Sequence, residues 1–464
     1  MKSLKYIWLF CLTLATLGLV SCNDDDEASS SSPITVTQIY LEDADSDVPD
    51  RPVDFARLGQ TIRIEGSGFA GLRELYINGF ETYFNVAYVT NTNIIVSIDT
   101  DTPVSEADPE QRNTIRFVKG GTEYTYPFTI RAASPIITSI DNTLPMPGET
   151  VVVRGENLQE TSLVTLPDGS QITDTDITNA PKDEDGEWFS FVMPREVSTY
   201  GAITVTCANG TAVSPEYFNN RTCMILDFDG TGTLGYWGTE GEGSQIGKTD
   251  LVDDPLKTGR GTVLQIVPQR MLDAGGVAAM KSRATEVWTN GDDLDDWNWM
   301  TDEISDTTLL TDVALQFDIY VPDAWGGTGQ IEVCLFNNFN FGGYNSDDAS
   351  DGAQCAFYIP WIVDNENVPF HTTGWQTVTI PFSEFRKYAA EIEAGDSPTF
   401  REVIDERNAA TYKNFGMGFV NTDITLGDGT EFKSSVFTGR IYIDNWRIVP
   451  CASEIISDFP DEEE

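Results

Sequence analysis

Two stretches of this chain repeat one pattern and decide the fold of its N-terminal half. The first reads GQTIRIEGSGF over residues 59–69, and the second reads GETVVVRGENL over residues 148–158. In each, a Gly-x-Thr start is followed by a run of β-branched residues, then by a glycine and, three residues later, an apolar residue. Alternation of apolar and polar positions is typical of a half-buried strand. The two copies lie 89 residues apart, which is about the length of one immunoglobulin-like sandwich.

The sequence around the two copies is also similar. Each unit opens with proline and isoleucine, at residues 33–34 and 135–136, and each contains a later strand followed by a turn. The turns are Asn-Gly at residues 78–79 and Asp-Gly at residues 168–169, which are strong hairpin signals. The pattern resembles the IPT/TIG family of immunoglobulin-like domains, and two copies in register predict two tandem domains of this type.

The chain after Thr222 has a different pattern, with many strand-like runs separated by Gly or Pro turns. About eight strands in ~230 residues are typical of one large β-sandwich of the jelly-roll type. The main runs are residues 224–228, 263–267, 314–321, 331–336, 376–380, 415–419 and 440–448. Helix signals are scarce, and the best lies at residues 383–394, with Ser383 as the expected N-cap. The chain is therefore predicted to be all-β.

The first residues of the chain predict export. A basic start and an apolar run over residues 6–20 are typical of a signal peptide, and the run is shorter than the ~20 residues that span a membrane. The sequence Leu-Val-Ser-Cys ending at Cys22 resembles a bacterial lipobox, which implies that the Cys22 thiol carries a lipid. Residues 23–27 (NDDDE) resemble the acidic signal that sends Bacteroidetes lipoproteins to the cell exterior. A solvated tether is the alternative, and both can be true.

The predicted organisation has six segments, in an outer-membrane protein that touches the membrane through its lipid anchor only and faces the cell exterior. They are a signal peptide at 1–21, an acidic and serine-rich tether at 22–32, IPT/TIG-like domains at 33–131 and 132–219, a larger β-sandwich at 220–451 and a frayed acidic tail at 452–464. We expect residues 33–219 to be spacers, because they contain no aromatic-rich loop comparable to those of the last domain.

The charge of the chain excludes several classes of ligand. The formal net charge is −46, and removing the two lysines of the signal peptide makes it −48, with 26 basic against 74 acidic residues. Such a field repels phosphate backbones and anionic head groups, so we expect no nucleic-acid binding and no binding to a lipid surface. A neutral or cationic ligand is favoured.

Histidine and cysteine give no sign of a metal site. The single histidine, His371, excludes a site built from several histidines, and no cysteine pair has C-x-x-C spacing. Cys334 and Cys355 either face each other on neighbouring strands or are buried thiols, and the sequence leaves both open. Calcium bound at Asp227 or Asp444 is weighed against carboxylates that are solvated or cap turns, and the second is favoured. We predict no cofactor and no metal.

Three long loops of the last domain are rich in aromatic residues. They span residues 282–312, 337–352 and 358–371. Rigid aromatic rings stack on the flat apolar faces of sugars at a small cost in rotamer entropy. Asp, Asn, Gln and Arg side chains then bind the hydroxyl groups at the rim of the sugar. Loops of this composition predict recognition of a carbohydrate.

Four residues of these loops form the predicted stacking surface. Trp297 and Trp299 stand among aspartates, and burying an indole there would require burying charges too, so we expect these rings to be exposed. Trp361 follows Pro360, which aims it off the strand, and Tyr358 is the expected helper. The alternative for each ring is a place in the core.

Four segments of the last domain resemble a known family. They are LDFDG at 226–230, FYIPW at 357–361, and the strands at 374–382 and 441–449. These resemble the C-terminal glycan-binding domain of SusE-position surface glycan-binding proteins of Bacteroidetes, which are lipoproteins with immunoglobulin-like spacers before one terminal β-sandwich. The resemblance implies a non-catalytic protein that captures a polysaccharide beside a SusC/SusD-like importer. From the charge and the aromatic loops, we expect a neutral β-linked plant or fungal polysaccharide. The motifs do not name the glycan.

Two other functional classes stay open at this point. A glycosidase needs two carboxylates across a cleft, and the 74 acidic residues do not exclude such a pair, although no segment singles one out. An adhesion or assembly protein would bind a protein partner through its immunoglobulin-like units.

Overall fold

The structure is a computed structural model, and it describes most of the chain from residue 32 onward. The described ranges are residues 32–44, 46–181, 186–236, 246–271, 285–289, 296–336, 343–346, 353–453 and 456–459. The expected signal peptide and Cys22 lie outside the described residues. The described chain is built almost entirely of antiparallel strands, so the prediction of an all-β protein is confirmed.

The first domain is a sandwich of two four-stranded sheets with a small parallel pair. Its strands are β1 (Thr35–Glu42), β2 (Asp50–Pro52), β3 (Phe55–Arg57), β4 (Thr61–Ser67), β5 (Glu74–Ile77), β6 (Phe80–Glu81), β7 (Asn93–Ser97), β8 (Thr114–Lys119), β9 (Thr122–Pro127) and β10 (Thr129–Arg131). The sheet orders are β2-β1-β4-β7 and β6-β5-β8-β9, and β10 pairs with β3. Both residues of the turn Asn78-Gly79 have positive φ, 49° and 81°, as the predicted hairpin turn requires.

The second domain is a sandwich of two further four-stranded sheets. Its strands are β11 (Ile136–Ile140), β12 (Thr150–Glu156), β13 (Leu163–Thr165), β14 (Gln171–Thr173), β15 (Ile177–Asn179), β16 (Trp188–Val192), β17 (Thr204–Cys207) and β18 (Gly210–Val213). The sheet orders are β11-β12-β16-β15 and β14-β13-β17-β18.

The glycine in the middle of each repeated stretch has a steric cause. A Cβ on Gly66 would lie 2.0 Å from the backbone oxygen of Thr35, and one on Gly155 would lie 1.9 Å from that of Ile136. In both domains the neighbouring strand carries a register shift at this point, between Val36 and Gln38 in β1 and at the corresponding place in β11. The bulge brings the backbone so close that only glycine fits.

The apolar residue three positions later fills the core beside this glycine. Phe69 and Leu158 are both fully buried. A Cβ on Gly66 would lie 2.7 Å from the Phe69 ring, and one on Gly155 would lie 2.8 Å from a Leu158 methyl. The repeated pattern is therefore one packing solution used twice.

The third domain is a larger β-sandwich. Its strands are β19 (Cys223–Leu226), β20 (Leu234–Tyr236), β21 (Leu251–Asp253), β22 (Thr262–Ile266), β23 (Glu286–Thr289), β24 (Val313–Tyr320), β25 (Gln330–Cys334), β26 (Cys355–Tyr358), β27 (Ile362–Val363), β28 (Glu366–Asn367), β29 (Gln376–Pro381), β30 (Gly416–Val420), β31 (Ile424–Thr425), β32 (Glu431–Phe432) and β33 (Ile441–Pro450). A six-stranded sheet has the order β21-β22-β33-β24-β29, with β19 also on β33. A five-stranded sheet has the order β20-β23-β30-β25-β26.

The described part of this domain also contains two α-helices. Helix α1 (Arg386–Glu393) confirms the predicted helix, but Ser383 lies in a preceding 3-10 turn and Phe385 is the N-cap. Helix α2 (Phe400–Ala409) was not predicted, although Phe400, Val403 and Ile404 form a buried face at the spacing that indicates a helix.

The second and third domains meet at a buried ionic network on the outer face of the six-stranded sheet. Asp318 of β24 is at its centre and has no solvent exposure. Arg260 Nη1 donates to Asp318 Oδ2 at 2.7 Å, and Arg447 Nη2 donates to Asp318 Oδ1 at 3.1 Å. Burial would raise the pKa of Asp318, but the two guanidinium groups outweigh burial and lower it. Burial and the nearby Asp318 carboxylate raise the pKa of Asp444 to about 8.

The second domain completes this network. Arg260 Nη2 donates to Glu149 Oε2 at 3.1 Å, and Arg447 Nη2 donates to Thr143 Oγ1 at 2.8 Å. Val449 of the third domain packs into the core cluster of the second. The two domains therefore share charged and apolar buried surface.

The structure accordingly groups the chain into two compact units. The described residues within 135–456 form one, and the described residues of the first domain, up to residue 134, form the other with residues 457–459. The expectation that residues 33–219 are spacers for glycan binding stays a prediction. Residues 135–219 also cover the ionic network, so cutting the chain at residue 220 would open this network to water. We now expect residues 135–456 to be the smallest stable form of the last domain.

The expectation of a frayed tail at residues 452–464 is wrong for residues 457–459. The Arg57 side chain donates two hydrogen bonds of 2.6 Å to the Asp458 carboxylate, and Phe459 stacks on Phe55 with ring centroids 6.2 Å apart. The C-terminal residues 457–459 thus pack on the first domain as part of its unit, because the tail contains an aromatic ring as well as acidic groups.

The repeated glycine can be tested by Gly155→Ala. The added methyl would collide with the backbone of β11, so we expect the free energy of unfolding to fall by about 1–3 kcal/mol or more, measured by denaturant titration. Gly374→Ala is the control, because no atom lies within 4 Å of the position that its added methyl would take. Equal stability of the two variants would contradict the steric account.

The ionic network can be tested by Asp318→Asn in the whole chain. The change leaves two buried guanidinium groups without their shared carboxylate, so we expect a loss of about 3–5 kcal/mol in thermal or chemical unfolding. Asp323→Asn is the matched control, since Asp323 pairs with Arg440 at 3.1 Å with its side chain 42% exposed, and we expect a loss below about 1 kcal/mol. Similar small losses in both variants would show that the network is dispensable.

Candidate functional site

Trp297 is a core residue, and the prediction that its ring is exposed is wrong. Its exposed fraction is 1%. The indole stacks on Phe382 with centroids 6.4 Å apart, and the Arg407 guanidinium lies 3.8 Å from its ring centre. Trp297 opens a 3-10 helix (Trp297–Asp302) that Asp296 caps by accepting from Asn298 N. The helix turns the indole inward while the exposed Asp296 stays hydrated, so burying the ring does not bury that charge.

Trp361 is also packed inside the domain, so the prediction that its ring is exposed is wrong, and the half-buried Tyr358 packs against the same core. The exposed fraction of Trp361 is 0%, and its Nε1 donates to Gly329 O at 2.9 Å. The Tyr358 ring meets the edges or faces of Phe317 and Trp325, with centroids 5.8 and 6.3 Å apart. Burial raises the pKa of Tyr358. The Trp361 ring is therefore a core residue, while Tyr358 packs against the core and its role in binding stays a prediction.

Trp299 differs from Trp297 and Trp361 because it is only half-buried. It lies in the same short helix as Trp297 and packs against the edge of the core. Its role in binding stays a prediction. Phe339 and Phe341, which contribute to the aromatic composition of the second loop, lie outside the described residues.

A different aromatic surface forms at the edge of the five-stranded sheet. We call it the Tyr344 site, and its central residues are Tyr344, Phe357 and Arg386. Tyr344 lies in a 3-10 turn, Phe357 is on the edge strand β26, and Arg386 is the first residue of α1. All three side chains are half-buried, so they remain accessible to a ligand.

The turn that carries Tyr344 is anchored on both sides. Tyr344 N donates to Gln330 Oε1 at 2.9 Å. Asn345 Nδ2 donates to Thr425 O, and Thr425 N donates back to Asn345 Oδ1, both at 2.7 Å. Gly343 has φ of +71°, and a Cβ there would lie 2.4 Å from Thr422 Oγ1. The backbone around Tyr344 is therefore fixed by β25 and β31 rather than by its own loop.

The three central side chains of the Tyr344 site contact one another. The rings of Tyr344 and Phe357 meet edge to face, with centroids 5.7 Å apart and planes at 71°. The Arg386 guanidinium lies 4.5 Å from the Tyr344 ring centre and 5.2 Å from that of Phe357. Arg386 Nη2 also donates to Tyr344 O at 2.9 Å. The guanidinium thus holds the two rings together by cation–π contacts.

These residues line a depression of about 310 Å³, whose other walls are alanines and glutamates of α1 and its surroundings. The remaining lining residues are Ala356, Glu384, Ala389, Ala390 and Glu393. Ligand sites combine apolar and aromatic walls with a few polar groups that fix orientation. The Tyr344 site offers ring faces and edges, guanidinium donors and two exposed carboxylates, which is the set of groups that a polyhydroxylated ring requires.

Two carboxylates lie on the outer face of the same sheet but are buried. Glu332 of β25 lies opposite Phe357, and Glu286 of β23 lies opposite Gly418, which in turn faces Glu332. Their exposed fractions are 0% and 1%. A glycosidase needs its two carboxylates on either side of a sugar, and carboxylates buried on one sheet face do not meet that requirement.

The carboxylates weighed as calcium ligands have other contacts. Asp227 Oδ1 accepts hydrogen bonds from the backbone N of Asp229, Gly230 and Thr231 at 2.8–3.0 Å, so it caps a turn. Asp444 Oδ2 accepts from Asn445 Nδ2 at 2.8 Å. In the part of the chain that the structure describes, no group of three or more His, Cys, Asp or Glu side chains is placed to hold a metal ion.

The sequence contained only part of the signal for the Tyr344 site. Tyr344 lies in one of the aromatic loops, and Arg386 lies in the predicted helix. Nothing in the local pattern indicates that Arg386 packs over Tyr344 and Phe357, because the contact joins three elements that are distant in the chain.

Comparison with known proteins assigns the last domain to a family. Residues 217–450, half of the chain, match the family described as surface glycan-binding protein B xyloglucan binding domain. An IPT/TIG domain-containing protein of Bacteroides ovatus is 30% identical over 212 residues, which are 44% of this chain and 42% of that protein. The chain thus spans about two fifths of the length of this curated relative.

A solved structure supports the fold over nearly the whole chain. The surface glycan-binding protein PbSGBP-B from Prevotella bryantii aligns with a TM-score of 0.62 at 21% identity, covering 90% of this chain and 99% of that one. At this identity the likeness shows the fold. Among the described residues, no helix has the length and apolar character to cross a membrane. Because the family match covers half of its residues, the chain belongs to the surface glycan-binding protein B family.

Proposed function

We propose that this protein captures a neutral polysaccharide at the cell surface through the Tyr344 site and presents it to a SusC/SusD-like importer. The observation that carries the proposal is the edge-to-face pair of Tyr344 and Phe357 under the Arg386 guanidinium. It is an accessible aromatic cluster with its own hydrogen-bond donors, on a backbone fixed by neighbouring strands.

Aromatic stacking is the proposed source of affinity. The apolar C–H face of a sugar ring covers an aromatic ring and removes its surface from water, which contributes ~25 cal/mol per Å². The half-buried rings lose little rotamer freedom on binding, since Tyr344 is held by a hydrogen-bonded turn and Arg386. Pre-ordering of this kind lowers the entropic cost of association.

Charge favours a neutral glycan over an acidic one. Glu384 and Glu393 stand at the rim of the depression, and the whole chain carries a formal charge of −46. A polysaccharide of uronic acids would be repelled by both. The name of the matching family makes xyloglucan the first glycan to test.

The proposal is tested by calorimetric titration of the whole chain with xyloglucan, a mixed-linkage β-glucan and an acidic polygalacturonan. We expect binding of a neutral glycan and none of the acidic one. Tyr344→Ala should weaken binding by about tenfold to a hundredfold, because losing 1.4 kcal/mol is a factor of ten and a ring contact is worth one to two such steps. Arg386→Ala should weaken binding by removing donors and loosening both rings.

Two further variants serve as controls for this titration. Tyr412→Ala removes a tyrosine that is 64% exposed elsewhere in the third domain, and it should bind like the unchanged protein. Trp299→Ala tests the remaining predicted residue. If Tyr344→Ala binds normally and keeps its melting temperature, the Tyr344 site is not the glycan site. If Trp299→Ala alone loses affinity, the site lies at that ring instead.

We also propose that the protein is anchored to the outer membrane through a lipid on Cys22, with its folded part facing the cell exterior. The lipobox-like end of the apolar run and the acidic residues that follow it support this. Cys22→Ser should move the protein from the membrane fraction to the soluble fraction and abolish incorporation of labelled fatty acid. Continued labelling of the variant would contradict the anchor.

A further inference from the structure

We propose that Cys334 and Cys355 form a disulfide bond across the edge pair of the five-stranded sheet when the protein is exported. The two residues are direct partners in the register of β25 and β26. Both are buried, and they form a small cluster with Ala353 and Phe357. The inference rests on the proposed export of the chain, because disulfides persist in oxidising compartments and are rare in the cytosol.

The hydrogen bonds next to Cys334 and Cys355 show which of the two kinds of antiparallel pair these residues form. Leu335 N donates to Gln354 O at 3.1 Å, and these two residues are themselves opposite each other in register. In an antiparallel ladder, hydrogen-bonded and non-hydrogen-bonded pairs alternate. Cys334 and Cys355 are therefore a non-hydrogen-bonded pair.

Such a pair meets the geometric requirement of a disulfide. Non-hydrogen-bonded partners have Cα atoms about 4.5 Å apart, with their side chains closer than in the other kind of pair. Disulfides join Cα atoms that are usually ~4.4–6.8 Å apart. The backbone register therefore permits the bond, which requires the Cys334 thiol to leave its hydrogen bond to Glu332 Oε1.

The other described cysteines have different neighbours. Cys207 lies opposite Gly210 and Cys223 lies opposite Ile448, while the Cys451 thiol donates to Thr311 O. Among the five described cysteines, two face each other in register and three face residues of other types. The structure holds all five as thiols, so the register of the strands is what assigns the pairing.

Formation of the disulfide requires an oxidant, and we expect it to take place during folding. Each thiol loses a proton and an electron, an S–S bond forms, and the two electrons reduce the disulfide of a thiol oxidoreductase to two thiols. Burial raises the pKa of the Cys355 thiol to about 12, and that of Cys334 is raised as well. Both thiols are also buried in the folded sheet, so we expect the oxidoreductase to reach them during folding, before β26 pairs with β25.

The bond has a consequence for the Tyr344 site. It closes residues 335–354 into a loop, and this loop contains Tyr344. The bond also joins β25, whose Gln330 anchors Tyr344, to β26, which carries Phe357, so it holds these parts of the site in one register and lowers the ordering cost of binding. Reduction of the bond is thus expected to weaken glycan binding without touching any residue that contacts the sugar.

Peptide mapping tests the pairing directly on the unchanged protein. The whole chain is isolated from its membrane fraction with thiols blocked by iodoacetamide under denaturing conditions, and is then digested without reductant. We expect one linked peptide that contains Cys334 and Cys355, and alkylated Cys207, Cys223 and Cys451. Alkylation of all five, or linkage of either residue to another cysteine, would overturn the proposal.

Glycan binding of the same sample separates this proposal from the functional one. A linked peptide in a protein that binds no glycan would overturn only the proposed function, and five alkylated thiols in a protein that binds would overturn only the disulfide. In Cys334→Ser, Cys355 should become alkylated, while Cys223→Ser should leave the linked peptide intact. If reductant leaves the affinity unchanged although the linked peptide is present, the bond plays no part in binding.

Discussion

The buried carboxylate of Asp318 is the interaction on which the larger unit of this protein depends. It lies between Arg260 and Arg447, at 2.7 and 3.1 Å, in a place where its side chain and that of Arg447 have no solvent exposure. Burying such groups is costly unless every charge is paired and hydrogen-bonded. The second domain contributes to this pairing, because Glu149 accepts from Arg260 Nη2 and Thr143 accepts from Arg447 Nη2, although the Nε atoms of both arginines are buried without a hydrogen-bond partner among the described residues. The interface is therefore a requirement of the third domain's own sheet.

The contact with the second domain makes the two sheets of the third domain differ in what they leave accessible to a ligand. The outer face of the six-stranded sheet is occupied by the second domain. The five-stranded sheet keeps an accessible edge at β26, where Phe357, the anchored turn of Tyr344 and the start of α1 meet. In many β-sandwiches, a rigid framework of strands positions binding residues that lie on its edges and in its connecting turns. The family to which the chain belongs and the geometry of the Tyr344 site are consistent with the same role in glycan binding.

The sequence predicted those features that arise from local patterns. The two immunoglobulin-like repeats could be predicted because a neighbouring backbone lies so close to Gly66 and Gly155 that these positions require glycine. The alternating residues before each glycine are those of a half-buried strand. Helix α1 was readable from its spacing. The ionic network was not, because Asp318 and Arg447 occupy alternate strand positions of the kind that normally face water, and nothing local indicates that another domain covers them.

The functional residues were harder to predict for the same reason. Trp297 and Trp361 look like exposed loop residues by composition, yet a short helix and a neighbouring hairpin turn both rings into the core. The direction of a loop side chain is set by tertiary packing, which composition does not contain. Phe357 and Arg386 each gave a local signal for a strand or a helix, but their meeting at Tyr344 is a property of the folded sheet edge.

The central claim is that the second and third domains unfold as one body held by the Asp318 network. Differential scanning calorimetry of residues 135–456 tests it most directly. We expect one transition whose calorimetric and van't Hoff enthalpies agree, as for a two-state unit. Two separate transitions, one for residues 135–219 and one for the remainder, would contradict it.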